Sequence, residues 1–110
     1  MKSGIYAVTF AAGPMAGAGV AVVEDGKIQG GDHGFIYRGR YELNESKVTA
    51  NVEVTQHQTG VQSVMGVSGS FKLALTGSVS DSSFDLSGAI PERPQVRITL
   101  RGQRKTDLVS

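Results

Sequence analysis

Two histidines, a scatter of serines and carboxylates, and two glycine-rich stretches are the residues in this chain that could do chemistry. The stretch Asp25–Gly39, DGKIQGGDHGFIYRG, sets five glycines among Asp32, His33 and Arg38. It could be a phosphate cradle, an active site built on His33, or a chain turning between strands. A second stretch, GPMAGAGVAVV, holds Gly13, Gly17 and Gly19. No Lys-Ser/Thr follows it and no helical pattern does, so neither a P-loop nor a dinucleotide fingerprint is present. In a strand, such small residues mark close backbone approach or a bend. His33 and His57 have no H-x-H or H-x-x-x-H spacing, and the chain has no Cys, so no zinc set is legible. The serines crowd into turn-forming runs such as SVSDSSFD, without a G-x-S-x-G elbow. Glu42 and Glu45 flank a turn, where carboxylates are solvated. Asn44-Glu45-Ser46 matches the N-glycosylation pattern, which needs a secretory route to matter. Arg93, Arg97, Arg101, Arg104 and Lys105 lack the interleaved aromatics of a single-strand nucleic-acid binder. The expectation is no catalytic residue, no metal and no cofactor.

The elements that position these residues are strands. In KVTANVEVT, Val48, Ala50, Val52 and Val54 alternate with polar neighbours. SGSFKLALTG and QVRITLR repeat the pattern, and period two means a strand with one face on a core. Turns are expected at Gly13-Pro14, Asp25-Gly26, Gly30-Gly31-Asp32, Asn44–Ser46, Thr59-Gly60, Gly77–Ser82 and Pro91–Pro94. The predicted strands are 4–11, 17–24, 27–31, 37–43, 47–57, 68–77, 82–90 and 95–102. A single helical turn capped by Asp32 is expected before Tyr37. The fold class is all-β, a small antiparallel up-and-down barrel of about eight strands. Closure removes the exposed edges that two open sheets would have to protect.

At 110 residues the chain is read as one domain, 1–110, with a polar tail over 103–110 expected to fray. Net charge is +1, which draws it to neither nucleic acid nor membrane. Absence of Cys suits the cytoplasm. The opening MKSGIYAVTF reads as a strand rather than a signal peptide, because Tyr6 and Thr9 interrupt the apolar run.

Three features carry a resemblance: Gly4-Ile5-Tyr6 in SGIYAVTF, the small-residue strand running into VVEDGKIQGGD, and Tyr37-Arg38-Gly39. Together they resemble the GrlR family, bacterial negative regulators of type III secretion. The pattern is specific over residues 3–41 and continues beyond that only in strand number and alternation. On this resemblance the Asp25–Gly39 stretch is architectural: Gly26 makes a hairpin, Gly30 and Gly31 a corner, and Asp32 a cap. The resemblance implies a lipocalin-like barrel, a homodimer without enzymatic activity, that binds a transcriptional activator and keeps it from DNA. An acidic run after the Y-x-G strand is associated with that contact. The matching stretch here, ELNESK, has only Glu42 and Glu45, with Lys47 opposing them. The candidate partner-binding residues are therefore Arg38, Arg40, Glu42, Asn44 and Glu45.

The alternative function is binding of a small apolar ligand or lipid in the barrel lumen. Its expected lining is Tyr6, Val8 and Phe10 from the first strand, then Val52 and Val54 from the fifth. Phe71 and Leu73 of the sixth and Phe84 and Leu86 of the seventh join Val96, Ile98 and Leu100 of the last. On this register Phe71→Asp should be strongly destabilising. The homodimer is expected to bury a weakly charged wall of Ser68, Ser70, Ala74, Thr76, Ser83, Ser87 and Ala89. Arg38, Arg40, Glu42 and Glu53 are expected on the opposite wall.

Overall fold

Along KVTANVEVT every second residue is buried: Val48, Ala50, Val52 and Val54 face inward while Thr49, Asn51, Glu53 and Thr55 are exposed. The computed structural model describes residues 1–67 and 69–110. It contains β1 (Gly4–Ala12), β2 (Met15–Glu24), β3 (Lys27–Gly31), β4 (Phe35–Asn44), β5 (Lys47–Gln56), β6 (Phe71–Val79), β7 (Ser83–Ile90) and β8 (Arg93–Thr106). Each strand pairs antiparallel with the next, and β8 returns to β1, closing an eight-stranded up-and-down barrel. All-β architecture and closure agree with the sequence reading.

Local chemistry sets the turns. Asp25 and Gly26 lie at φ 51° and 76°, between the paired residues Glu24 and Lys27. Two left-handed residues in a two-residue loop match the right-handed twist of the flanking strands. At the other end of β3, neither Gly30 nor Gly31 has a positive φ. Gly30 is needed for space instead: a Cβ there would stand 2.0 Å from the Val20 carbonyl oxygen. The helical turn expected after Asp32 is a bend at His33-Gly34 leading straight into β4. Asp32 still caps it, Oδ1 accepting from the Gly34 and Phe35 N–H groups at 2.9 Å each. With both donors satisfied so close to the cap, β4 starts at Phe35, two residues earlier than expected.

Three further differences have physical causes. Gly77 sits inside β6 opposite Leu86, so the turn after it shortens to Ser80–Ser82. Arg93 and Pro94 open β8, a position where a proline costs no interior ladder bond. The tail does not fray at 103: Gln103 and Arg104 pair with Ala7 and Tyr6, and Thr106 pairs with Ile5 after a register shift. Arg104 Nε donates to the Ser3 carbonyl at 2.9 Å, and its guanidinium also pairs with Asp107, which ties this end of the barrel shut.

The outer walls are arranged differently from expectation. Ser68 lies outside the described residues, and Ser70 precedes β6. The wall of β6 and β7 is not opposite the charged wall, because β5 pairs directly with β6 and brings Glu53 across from Lys72. Asp85 also projects from β7, where it pairs with Arg101 at 2.7 Å. The wall without charge is β1 with the first part of β2, whose outward residues are Ile5, Ala7, Thr9, Ala11, Ala16, Ala18, Val20 and Val22. Val20 is 50% exposed there.

Candidate functional site

The inward residues of all eight strands converge on a core that is not completely filled. A cavity of about 130 Å³ remains in the half of the barrel towards the β3–β4 corner. Val8, Phe10, Val52, Val54, Phe71, Leu73, Phe84, Leu86 and Ile98 line it, as does Leu100. Tyr6 lies beneath it rather than on its wall. Its ring packs on Phe84 with centroids 5.5 Å apart, and its phenol donates to the Lys2 carbonyl at 2.6 Å. Burial pushes that phenol's pKa up. Val96 is half-buried against the core near the start of β8.

The other end of the cavity is covered by the connection from β5 to β6, of which residues 57–67 and 69–70 are described. These belong to no strand, yet Ser63 and Met65 are buried, and Val61, Val64 and Val67 pack against the core. Gln56, the last residue of β5, holds this connection. Its Nε2 donates to the Gln58 and Val61 carbonyls at 2.9 Å each, and its Oε1 accepts from Gly69 N–H at 3.0 Å. Ser63 closes the inner loop, Oγ donating to the Val67 carbonyl at 2.8 Å and accepting from its N–H at 3.1 Å.

Asp32 is the hub of this end. Beyond its two backbone donors, its second carboxylate oxygen accepts a hydrogen bond from the Tyr37 phenol. Burial, and then that carboxylate, push the Tyr37 pKa far above its ordinary value. The Asp32 carbonyl lies 2.9 Å from His57 Nε2, and His57 N–H donates to the Gly34 carbonyl. The two histidines therefore meet at one corner, His33 exposed and His57 pinning the connection down. The glycines of β2 serve the same aromatic cluster. A Cβ at Gly17 would stand 2.6 Å from the Phe10 ring, and one at Gly19 2.8 Å from the Tyr37 hydroxyl. They make room for rings, which is why a Gly-x-Gly pattern stands here in a strand.

Asp32→Ala should lower the unfolding free energy by about 2–3 kcal/mol, since it strands two backbone donors and a half-buried phenol. Asp32→Asn keeps the oxygen that serves the backbone and should cost clearly less. Urea midpoints for the two variants check this.

The candidate partner-binding residues lie elsewhere, on the outside and towards the opposite end. Arg38, Arg40 and Glu42 project outward from β4, Asn44 ends it opposite Lys47, and Glu45 occupies the turn at φ 60°. All five are exposed. Arg40 stands between Lys27 and Asn51 on the neighbouring strands. None of the five belongs to the two ion pairs found among the described residues.

Sequence reasoning missed Ile28, Phe35, Tyr37 and Leu75 as cavity lining, and the whole covering connection. The one available signal was the apolar content of VQSVMGV, Val61–Val67, in a stretch with no strand period.

The model of a protein family described as the type III secretion negative regulator GrlR matches residues 1–108 of the chain. The chain belongs to the GrlR family. The match extends well past residues 3–41, through the covering connection and β6–β8. Membership makes it a member of a family of negative regulators, described by regulation rather than by a reaction. No curated protein matches the chain in sequence. No helix among the described residues is long and apolar enough to cross a membrane.

Proposed function

We propose that the barrel is a non-enzymatic regulatory module that works in the cytoplasm by binding another protein, withholding a transcriptional activator from DNA. The family match over residues 1–108 carries this reading. The exposed face of β4 and the turn after it support it: Arg38, Arg40, Glu42 and Glu45 are solvated charges outside any ion pair among the described residues. Charges of this kind steer encounter and choose partners. The test uses any helix-turn-helix activator found encoded beside this chain, bound to its own promoter DNA. Saturating barrel should release the DNA, and Glu42→Lys with Glu45→Lys should slow association roughly tenfold at low salt. An activator that stays on DNA at saturating barrel rules the mechanism out.

The protein acts in this reading as a homodimer joined through β1 and β2. Interface cores are depleted of charge, and this wall carries none from Ile5 to Ala11 or from Ala16 to Val22. Sedimentation should show Val20→Arg as a monomer and Ala74→Glu as a dimer. The reverse result would place the interface on β6.

A further inference from the structure

The cavity inside the barrel is built to stay dry. A buried water is retained where two to four polar partners converge on it, and the polar groups reaching this cavity, apart from the exposed Gln62, are already committed. Asp32 spends one oxygen on two backbone donors and the other on Tyr37. Ser63 exchanges both of its hydrogen bonds with Val67. Gln62 also borders the space, from an exposed stretch of the covering connection. Among the described residues, no buried side-chain polar atom is left without a partner.

Size and shape narrow what could enter. The space of about 130 Å³ is close to the roughly 150 Å³ apolar cavity that stays dry and takes up benzene. Five aromatic rings face it: Phe10, Phe35, Tyr37, Phe71 and Phe84. Two pairs of them already meet edge to face, Phe10 with Tyr37 at 6.3 Å and Phe35 with Phe71 at 6.5 Å. A further ring extends that array, because the positive edge of one ring favours the negative face of the next. Among the described residues no cation lines the space, and the charged side chain at its rim is the carboxylate of Asp32, so a ligand anion would lose its hydration without a counter-charge.

From this geometry we infer that the lumen is a binding site for one small uncharged aromatic molecule, about the size of a single ring. The occupant fills a void whose lining otherwise lacks contact atoms on one side. It enters beneath the β5–β6 connection at residues 57–67, which Gln56 and His57 hold to the barrel by side-chain hydrogen bonds at the surface. A fatty acid does not fit this description, in charge or in length.

Toluene is the probe and methyl-resolved NMR of the whole chain the readout. Saturable shifts should appear at Val52, Leu73, Leu86 and Ile98, with none at Val20 on the outer wall, and the melting midpoint should rise with toluene concentration. Hexanoate should produce neither effect at concentrations where toluene saturates. Leu86→Phe, which fills the space, should weaken toluene roughly tenfold or more. If that variant does not fold, Val52→Ile takes its place and should weaken toluene in the same direction. Absence of saturable toluene shifts overturns the inference, as do shifts confined to the outer wall, equal binding of hexanoate, or unchanged affinity in the filled variant. None of these readouts involves a protein partner, so their failure and failure of the regulatory reading are separate results.

Discussion

Leu73→Asp strips the barrel of a large part of its stability at neutral pH. Leu73 is 5% exposed, opposite Val52 in the middle of the wall between β5 and β6, and lines the cavity. Among the described residues, no cation lines that cavity to meet a carboxylate. A buried charge without a partner costs on the order of 3–5 kcal/mol. A domain of this size has about 5–15 kcal/mol in total, so the loss is a large fraction of the margin. The pH dependence identifies the cause. Burial raises the folded-state pKa of the new carboxyl above its unfolded value of about 3.9. The deficit relative to the parent chain is then complete above the folded pKa and shrinks as pH falls towards the unfolded one. Circular dichroism from pH 7 down to about 4 measures it. A variant as stable as the parent at pH 7 would show that residue 73 does not face the core. Phe71 is a weaker place for the same test, because it is only half-buried at the mouth of the cavity.

Gly30→Val gives the second large effect, by a different route. Gly30 lies between Ala21 on β2 and Tyr37 on β4. An added Cβ would meet the Val20 carbonyl oxygen at 2.0 Å and the Ala21 Cα at 2.7 Å. Both are backbone atoms, so relief requires β2 or β3 to move, and neither is free in a closed barrel. Overpacking of this kind costs about 3 kcal/mol. The loss should be nearly as large for Gly30→Ala, because the first carbon already clashes. Gly26 contrasts with it: its Cβ would meet only the Tyr41 carbonyl, at 3.6 Å. There Gly26→Val acts through φ alone, at about 1–2 kcal/mol. Denaturant midpoints for Gly30→Ala and Gly26→Ala separate the two causes. Equal and small losses would show that Gly30, like an ordinary strand residue, has room.

How far the sequence could be read depended on whether burial followed the strand period. For Val48 to Val54 it did, because one face of β5 meets the core along its whole length. The Asp25-Gly26 hairpin was equally legible, since two left-handed residues need that dipeptide. Val61 to Val67 were not, because what buries them is the open end of the barrel, and a residue plugging a hole keeps no period. Gly30 was assigned to a corner for its flexibility when its role is absence of a side chain, a distinction that only the distance to Val20 reveals. Among the candidate site residues, ten of the twelve expected around the lumen line the cavity; Tyr6 packs below it and Val96 lies near the start of β8, off the lining. Tyr37 was read as part of a motif. Its place on the lining follows from the Gly-x-Gly opening of β2, which no local pattern connects to β4.

The return of β8 to β1 sets how this chain must fold. Seven of the eight strand pairings join neighbours along the chain, and hairpins of that kind form within about 1–10 μs. The eighth brings Ile5 to Thr106, almost the full length of the chain apart. Loop-closure entropy has to be met before that ladder contributes anything in return. Until it closes, β1 and β8 each present an unpaired edge, and β1 offers it beside an uncharged outer face, the combination that recruits other chains. The residues Gln103–Thr106 lengthen the seam and thereby favour its closure. A chain shortened before Gln103 would linger in the open form, and its fate would be decided by concentration: dilute chains would still find their own edge, and crowded ones would find each other's.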